Sequence, residues 1–478
     1  GNSQTYADFL VNINKRVGDF TIVANIGTSL SDNSYDMLGY NGPIQEKGIP
    51  NVFNVFDLDN TKKRATQEGW EEMTQSIFAS AEVGWKSMLY LTLTGRNDWA
   101  SQLANSSTPC FFYPSVGLSG VISEMLTLPE FIDYMKVRGS FSSVGMPYPR
   151  NLTSPTYEYD EANQQWKPKT HYPIKDLKPE RTNSWELGLD MRLFKDFSLG
   201  FSWYLANTFN QTFDPKVSVS SGYSKIYLQT GYVRNSGVEL SLGYGHTWNN
   251  HLHWESNFTL SHNKNTIKDL VTSYIHPETG LPITQNRLDV GGLGKARFIL
   301  KKGGTLGDLY TQSDLKRDNN GMVEIDPSGA LTTEDNLPDI KLGSVFPKAN
   351  LAWNNRFEWR GISLSALFTP RIGGIAYSAT QAAMAQYGVS ERSAQARDNG
   401  GVLLNGRTLV DAQTYYSLIG NSSGLPQYYT YSATNVRLQE ASVGYTIPRK
   451  WLGGVCDINV SVVGRNLWMI YCRAPFDP

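Results

Sequence analysis

Apolar and polar residues alternate with a period of two along most of this 478-residue chain. In the segment 185–193, polar residues or glycine separate the apolar residues Trp185, Leu187, Leu189, Met191 and Leu193. The pattern resumes at 197–205 after a two-residue turn, and it recurs at 89–96, 238–244, 254–260 and 362–368. Because successive side chains of a β-strand point to opposite faces, this period predicts strands with one apolar face and one polar face.

The length of these segments favours strands that cross a lipid bilayer. Strands of soluble proteins are usually about 5 to 6 residues long, whereas a membrane-spanning strand needs roughly 9 to 11 residues with Trp and Tyr near its ends. The predicted strands reach the longer range, and tryptophans lie near the predicted short turns, namely Trp203, Trp248, Trp254, Trp353 and Trp359. We predict an all-β fold, an antiparallel transmembrane β-barrel, although soluble β-proteins also place aromatic residues near strand ends.

Short and long connections alternate along the chain. Short turns are predicted near 15–18, 85–87, 195–196, 249–250, 302–304, 360–361 and 449–454, and long polar segments near 32–72, 99–110, 145–180, 210–232, 267–294, 316–344 and 374–432. Bacterial outer-membrane barrels have short periplasmic turns and long extracellular loops. The segment 122–132 lies on the short-turn side and predicts a brief helix capped by Ser123.

Counting strands between these connections gives about 16. Outer-membrane transporters with a plugged lumen have about 22 strands, and the direction of the first strand gives it an even number. Residues 1–478 are therefore predicted to form part of a 22-stranded barrel, approximately strands 6 to 21, without the final strand.

Composition and motifs argue against several other classes of protein. With 43 basic and 44 acidic residues, the net charge of -1 gives no positive field for nucleic acid. No apolar run reaches the length of about 18 residues that a membrane-spanning helix needs. Neither H-E-x-x-H nor G-x-S-x-G occurs, and we predict no enzymatic activity.

Five sequence segments resemble, in order, those of SusC-like TonB-dependent transporters. These segments are R-N-D-W-A-S at 96–101 with F-Y-P-S at 112–115, L-K-P-E-R-T-N-S-W-E-L-G-L-D at 177–190, N-S-G-V-E at 235–239, T-N-V-R-L at 434–438 and G-R-N-L-W at 464–468. The chain departs from the family pattern at Leu103, where Phe is usual, and at 144–146, where V-G-M replaces the common Gly-Asn.

The resemblance implies active import of oligosaccharides or peptides across the outer membrane of a Gram-negative bacterium. It further implies a SusD-like lipoprotein lid, energy delivered by the TonB complex through an N-terminal region, and a dimer of transporter and lid pairs. We predict that this sequence does not include the plug domain of the family. Two alternatives remain open: a passive outer-membrane porin or adhesin barrel, and a secreted all-β carbohydrate-active protein.

Candidate binding residues lie in the long connections. Aromatic rings can stack on sugar rings, and the candidates for substrate contact are Trp166, Tyr172, Tyr415, Tyr416, Tyr428 and Tyr429. Packing within the loops or against a lid is the alternative role for these rings. Oxygen-bearing side chains with spacing suited to calcium are Asp314, Asp318, Asn320 and Asp326. Because no Glu occupies the twelfth position, a solvated turn without metal is the favoured interpretation there, and no cofactor is predicted.

Overall fold

A computed structural model describes residues 1–477 apart from 47–50, 52–53, 153–156, 161–163, 169–170, 173–177, 214–224, 227, 249–250, 276–281 and 422. The predicted turn at 249–250 therefore lies outside the described residues. Strands dominate the described part of the chain, and its helices are short. None of the described helices is long and apolar enough to cross a membrane.

The strands and helices have the following bounds. The first half of the chain contains β1 (Asn2–Val17), β2 (Phe20–Asn41), β3 (Arg64–Trp85), β4 (Leu89–Ala100), β5 (Cys110–Val121), β6 (Ile132–Met146), β7 (Tyr157–Asp160), β8 (Gln165–Pro168), β9 (His171–Tyr172), β10 (Glu180–Leu193), β11 (Phe197–Phe213), β12 (Lys225–Ile226) and β13 (Leu228–Thr247). The second half contains β14 (Leu252–Asp269), β15 (Val271–Ile275), β16 (Pro282–Gln285), β17 (Arg287–Leu293), β18 (Ala296–Lys301), β19 (Asp308–Thr311), β20 (Asp314–Leu315), β21 (Thr333–Glu334), β22 (Ile340–Ser344), β23 (Ala349–Trp359), β24 (Ile362–Ile372), β25 (Ile375–Tyr377), β26 (Val402–Leu404), β27 (Thr408–Val410), β28 (Thr430–Ser432), β29 (Asn435–Ile447) and β30 (Ile458–Cys472). The α-helices are α1 (Ile122–Met125), α2 (Ala379–Gln386), α3 (Glu391–Asp398) and α4 (Ala412–Ile419), and 3-10 helices lie at Val55–Asp57, Ser101–Leu103, Pro426–Tyr429 and Arg449–Leu452.

Fourteen of the described strands form one antiparallel sheet, in the order β1-β2-β3-β4-β5-β6-β10-β11-β13-β14-β23-β24-β29-β30. This up-and-down order confirms the predicted fold class, since each long strand pairs with the one before it. The predicted count of about 16 was too high, because the turn at 302–304 joins β18 to β19 in a separate four-stranded sheet. Those two strands have only six and four residues, too few to cross a bilayer. The assignment to strands 6 to 21 assumed 16 strands, and fourteen strands do not fill that range. The assignment stays a prediction.

The chain divides into two compact units. Unit 1 consists of Gly1–Leu118, Phe141–Asn183 and Lys216–Gln229, and unit 2 of Ser119–Ser140, Ser184–Pro215 and Thr230–Pro478. In unit 1, the ladder between β2 and β3 runs without interruption from the pair Phe20 and Trp85 to the pair Asn41 and Arg64. In unit 2, β14 pairs with β23 although 79 residues separate them, because that connection folds into small sheets of its own.

An apolar row crosses four strands of unit 2 in constant register. Leu242 pairs with Phe258, which pairs with Trp353 on the next strand, and Trp353 pairs in turn with Phe368. Leu242 is 39% exposed and Trp353 is 46% exposed. Phe258 and Phe368 are half-buried. A continuous row of large apolar side chains, two of them exposed, indicates a face that meets lipid rather than water. Ser241, one residue before Leu242, lies on the opposite and polar face.

Ser256 and Asn355 are polar residues on the lipid-facing side of β14 and β23, and both are hydrogen-bonded. Ser256 and Asn355 pair with each other across β14 and β23. The indole Nε1 of Trp353 donates to Ser256 Oγ at 3.0 Å, and the indole Nε1 of Trp254 donates to Asn355 Oδ1 at 3.3 Å. Because an unsatisfied polar group in hydrocarbon costs several kcal/mol, each indole and its polar partner stabilise one another.

An aromatic belt follows the short-turn end of the strands in unit 2. Consecutive ring centroids lie 4.8 to 6.5 Å apart in the series Phe131, Phe194, Phe197, Tyr244, Trp254 and Phe357. Trp248, Trp254 and Trp359 lie at this end as predicted. Trp203 and Trp353 do not, because each lies six residues along its strand from the turn, about 20 Å at 3.3 Å per residue. The belt has the position of an interfacial girdle.

The brief helix predicted on the short-turn side is present as α1, but its predicted cap was wrong. The helix begins at Ile122 after Val121, with no side-chain cap, and Ser123 lies within its first turn. The hydroxyl of Ser123 instead accepts a hydrogen bond from the backbone N–H of Met135 on β6 at 3.3 Å. Ser123 therefore fastens α1 to the neighbouring strand.

The connection between β24 and β29, predicted as a long polar loop, is a folded structure that we call the loop module (residues 375–432). Each of its three α-helices begins at a capping side chain. Ser378, Ser390 and Asp411 each accept a hydrogen bond from the backbone N–H three residues further along. Such caps satisfy donors that the first turn leaves unpaired and typically stabilise a helix by about 1 kcal/mol.

The loop module has its own hydrophobic core. Its buried residues are Leu315, Val323, Leu331, Ala382, Ala385, Ala396, Val410, Ala412, Tyr415, Tyr416, Ile419, Leu425 and Tyr429. Three of them belong to the connection 315–331, so this hairpin and the loop module share one core. Asn405 fastens the two together, because its amide accepts from the backbone N–H of Val323 and donates to the carbonyl of Val323, both at 2.9 Å.

Candidate functional site

The polar face of unit 2 carries a charged groove of about 390 Å³. Arg138 on β6 donates to Asp190 Oδ2 at 2.6 Å and to Glu186 Oε1 at 3.4 Å. Gly188 leaves room for the guanidinium, since a Cβ there would lie 2.5 Å from Arg138 Cζ. Glu239 lines the same groove. Ion pairs hold the Arg138 side chain in place beside the groove, and such charged side chains are expected on a wall that faces water and polar cargo.

The R-x-D motif builds a polar cluster on the strand wall of unit 1. Arg96 and Asp98 share one face of β4, and Arg96 Nε donates to Asp98 Oδ1 at 2.7 Å. Arg96 Nη2 donates to Ser76 Oγ at 2.7 Å, and the hydroxyl of Tyr113 donates to the Asp98 carboxylate. The guanidinium also lies over the ring of Phe78, 5.6 Å from its centroid. The four polar side chains hold one another in fixed positions.

Four of the tyrosines predicted to contact substrate lie together in the loop module. Tyr415, Tyr416 and Tyr429 are 8%, 9% and 3% exposed, and Tyr428 is half-buried. The ring of Tyr415 meets those of Tyr416 and Tyr428 edge-on, with centroids 5.2 and 6.4 Å apart. Burial raises the pKa of all four hydroxyls. These rings pack the core, which is the alternative role considered above, and their contact with substrate stays a prediction.

The other two predicted contact residues lie in unit 1. Trp166 lies on β8 opposite Tyr159 of β7, with ring centroids 5.3 Å apart. Its side chain is 68% exposed, so one indole face is open to a ligand. Tyr172 lies on β9, which pairs in parallel with β12, and its side chain lies outside the described part of the chain. Among the predicted contact residues whose side chains are described, Trp166 is the exposed one.

The four calcium candidates occupy tight turns. Asp318 and Asp326 each accept hydrogen bonds from backbone N–H groups two and four residues further along, at 2.8 and 2.9 Å. The third residue after each aspartate is a glycine, with φ of 81° or 83°. Asp314 instead pairs with Arg317 at 3.0 Å, and Asn320 lies within the first turn. No group of three or more potential His, Cys, Asp or Glu metal ligands occurs among the described residues. Turn geometry accounts for the aspartate spacing, and calcium binding stays a prediction.

An ion-pair cluster around Asp339 links β17 and β18 to the connection before β22. Asp339, whose side chain is 6% exposed, accepts from Arg287 Nε and Nη2 at 2.7 and 2.9 Å and lies 2.8 Å from Lys301 Nζ. The hydrogen bond from Arg287, followed by that from Lys301, lowers the pKa of Asp339 below its usual value of 3.8.

This cluster predicts a pH dependence of local stability. Because the folded pKa is depressed, the stabilisation is complete above the unfolded pKa of about 3.9 and is lost as the pH falls through the lower folded value. We expect amide exchange of β17 and β18, corrected for intrinsic rates, to be steady from pH 5 to 8 and to accelerate below pH 4. The Asp339→Asn variant should exchange faster at pH 7 and show little further change on acidification. Equal pH profiles for both proteins would contradict the assignment.

A family comparison identifies the kind of protein that carries these features. Residues 1–418 match the family model described as TonB dependent receptor-like, beta-barrel. The chain belongs to this family. TonB-dependent receptor barrels lie in the outer membrane of Gram-negative bacteria, which confirms the predicted localisation. The family consists of transporters and not of enzymes, so the secreted carbohydrate-active alternative is set aside.

Two curated relatives come from Formosa agariphila. TonB-dependent receptor P3 is 22% identical over 423 residues, which cover 82% of this chain and 40% of that protein. TonB-dependent receptor P39 is 23% identical over 350 residues, which cover 69% of this chain and 30% of that protein. The chain thus spans less than half the length of these relatives.

Solved structures of a peptide importer share the fold of this chain. The RagAB peptide importer in its "closed-closed" state superposes with a TM-score of 0.73 at 16% identity, covering 98% of this chain and 52% of that one. The "open-open" state gives a TM-score of 0.72 at 17% identity, covering 100% of this chain and 51% of that one. At such identity, the likeness concerns the fold.

Proposed function

We propose that this chain supplies barrel wall and extracellular surface to an importer that carries oligosaccharides or peptides across the outer membrane. The observation that carries the proposal is the family match over residues 1–418. The sheet supports it, because one of its faces is apolar and exposed while the other carries charged, hydrogen-bonded clusters. A wide polar lumen admits large hydrophilic cargo. Energy would come from the TonB complex, because a barrel wide enough for such cargo needs a plug and the plug needs work to move.

A SusD-like surface lipoprotein is the proposed partner on the extracellular side, with transporter and lid pairs forming dimers. The folded long connections support this, since a loop module with its own core presents a defined surface rather than a flexible chain. The importer with the most similar fold described above is named for peptides, which supports peptides beside oligosaccharides as cargo.

Uptake by living cells tests the proposal. Cells lacking the intact parent gene would be complemented with wild-type parent protein and given labelled oligosaccharides and peptides, with TonB present or deleted. Import that requires both the parent protein and TonB supports the proposal. Import that requires the protein but persists without TonB would favour a passive porin, and unchanged import of both cargo classes without the protein would overturn the proposal.

The exposed indole of Trp166 should contribute to cargo binding. We expect Trp166→Ala in the parent protein to weaken cargo binding by about 2- to 10-fold, because an aromatic stacking contact contributes about 0.5–1.5 kcal/mol. The half-saturating cargo concentration for uptake measures the change, and Trp166→Phe should recover part of it.

Tyr429→Phe is the matched control for this prediction. The Tyr429 hydroxyl is buried and has no hydrogen-bond partner among the described residues, so its removal should leave uptake unchanged. An unchanged half-saturating concentration in Trp166→Ala, with normal protein abundance, would show that cargo does not touch this indole.

A further inference from the structure

Two neighbouring short turns of unit 2 place cations beside exposed tryptophans. At the first turn, the guanidinium of Arg360 lies 5.3 Å from the ring centroid of Trp359, which is 44% exposed. Arg360 and Gly361 form the turn with φ of 49° and 91°. The side chain of Trp359 shares the lipid-facing side of β23 with Phe357, two residues earlier. This turn therefore directs an aromatic ring and a cation toward the membrane interface.

The second turn contains the 3-10 helix Arg449–Leu452. Trp451 on this helix is 66% exposed, and Lys450 beside it is also exposed. Arg449 Nε donates to the carbonyl of Gly454 at 2.9 Å, which holds its guanidinium against the turn. The second turn repeats the combination of a cation with an exposed indole.

The two turns are neighbours at the end of adjacent strands. Ile362, which follows the first turn, pairs with Tyr445, and the backbone N–H of Thr446 donates to the carbonyl of Gly361 at 2.7 Å. We call the group Trp359, Arg360, Arg449, Lys450 and Trp451 the basic rim. Because short turns of bacterial barrels are periplasmic, the basic rim lies at the periplasmic leaflet.

The charges of the basic rim are poorly neutralised by the protein. In the described part of the chain, the one carboxylate within 4.0 Å of its cations is that of Asp457, 3.9 Å from Arg449 Nη1, and both side chains of this pair are more than half exposed. Such an exposed pair contributes little, typically 0.2–1 kcal/mol. Arg360 and Lys450 have no carboxylate within that distance among the described residues. Up to three positive charges are thus available to an external anion.

We propose that the basic rim binds the phosphate groups of anionic phospholipids in the periplasmic leaflet. Arginine presents paired N–H donors that match phosphate, and lysine adds a compact charge. Trp359 and Trp451 lie at the short-turn end of the strands, and indoles favour the headgroup region of a bilayer. In the proposed site, the indole contacts the acyl chains of a lipid while the neighbouring cation binds its phosphate. The site would hold this sector of the barrel at a fixed depth in the membrane.

Native mass spectrometry of the full-length parent protein tests this inference. The protein, in mild detergent, would be titrated with phosphatidylglycerol or with phosphatidylcholine. A cation near an anionic lipid surface contributes about 1 kcal/mol, or about fivefold in affinity. The triple variant Arg360→Gln/Arg449→Gln/Lys450→Gln should therefore bind phosphatidylglycerol at least tenfold more weakly than wild type, and phosphatidylcholine equally well.

Two controls separate lipid binding from general effects of charge or folding. The variant Lys62→Gln/Lys302→Gln/Lys316→Gln loses the same charge from long connections and should bind phosphatidylglycerol like wild type. The charge-preserving variant Arg360→Lys/Arg449→Lys should retain most of the binding. Equal phosphatidylglycerol binding by wild type and the triple variant would overturn the inference. So would binding by wild type that survives 1 M salt, where the Debye length is about 3 Å.

Discussion

Replacing Leu242 by arginine should destabilise the sheet by about 2–4 kcal/mol, the cost of an arginine on the lipid face near the bilayer midplane. Leu242 lies five residues from the end of β13 at Thr247, about 12 Å along the membrane normal for a strand tilted by about 45°. This places it near the middle of an apolar band about 25 Å tall. Its paired neighbour Phe258 and the next residue in the row, Trp353, offer no partner for a guanidinium other than the indole face.

The same substitution one residue earlier should be tolerated. Ser241 is exposed on the polar face and lines the groove that contains Asp190 and Glu239. An arginine there meets water and two carboxylates, so Ser241→Arg should change the free energy of unfolding by less than about 0.5 kcal/mol, the range of ordinary surface substitutions. The two variants have the same added charge and nearly the same position along the chain, and they differ in the face of the strand.

Urea unfolding of the full-length protein in lipid vesicles or micelles measures both effects, with the loss of heat-resistant gel mobility as an independent indicator of folding. A stable Leu242→Arg variant with a damaged Ser241→Arg variant would show that the two faces have been assigned the wrong way round. Equal damage from both would indicate that the groove is filled in the complete protein. The pair of variants thus tests which face of the strand meets lipid and whether the opposite face is free.

The strands and their faces could be predicted from the sequence because apolar and polar residues alternate with a period of two, which shows the face of the sheet on which each side chain lies. Leu242, Phe258 and Phe368 of the apolar row all occupy predicted apolar positions. The strand count was less accurate because the glycines at 303–304 have the composition of a hairpin turn in any sheet. The length of β18 and β19 was the signal that distinguishes them, since strands of six and four residues cannot span a bilayer.

The loop module was not predicted, although its sequence contains the signals of helices. Ser378, Ser390 and Asp411 occupy capping positions, and their segments lack the period of two. In α4, the buried residues follow the spacing i, i+3, i+4 and i+7, namely Ala412, Tyr415, Tyr416 and Ile419. This spacing is typical of a helix that buries one face. It would have placed both tyrosines in a core before any role in substrate contact was considered.

The tertiary contacts that complete the module are not accessible to sequence reasoning. Asn405 has the composition signal of a turn, in the sequence Leu404-Asn405-Gly406, and its φ of 52° agrees with that signal. Its two hydrogen bonds to Val323, 82 residues earlier, depend on how two long connections fold against each other. The same holds for Trp254 and Asn355, whose hydrogen bond joins two residues 101 positions apart in the sequence.

Replacing Leu425 by alanine should destabilise the loop module by about 2–5 kcal/mol while leaving the long strands folded. The side chain of Leu425 is fully buried, and its backbone N–H donates to the carbonyl of Ile419 at the end of α4 at 2.9 Å. Truncation removes apolar contact and leaves a cavity among aromatic rings that cannot collapse freely, and both terms contribute to the cost of large-to-small core substitutions. The substitution lies outside the lipid-facing sheet, so the strand ladders retain their own hydrogen bonds and apolar face.

Leu403→Ala is the matched control, because it removes the same atoms from a side chain on β26 that is 60% exposed. We expect that control to change stability by less than about 0.5 kcal/mol. Amide exchange measures the outcome segment by segment: in Leu425→Ala, residues 379–419 should exchange faster by about 1.5 to 3.7 orders of magnitude, while β24 and β29 remain protected. Loss of protection in β24 and β29 as well would show that module and sheet unfold as one cooperative unit. Because the module is joined to the sheet through β25 and β28, two short strands, the core that it shares with the hairpin 315–331 is expected to unfold before the sheet.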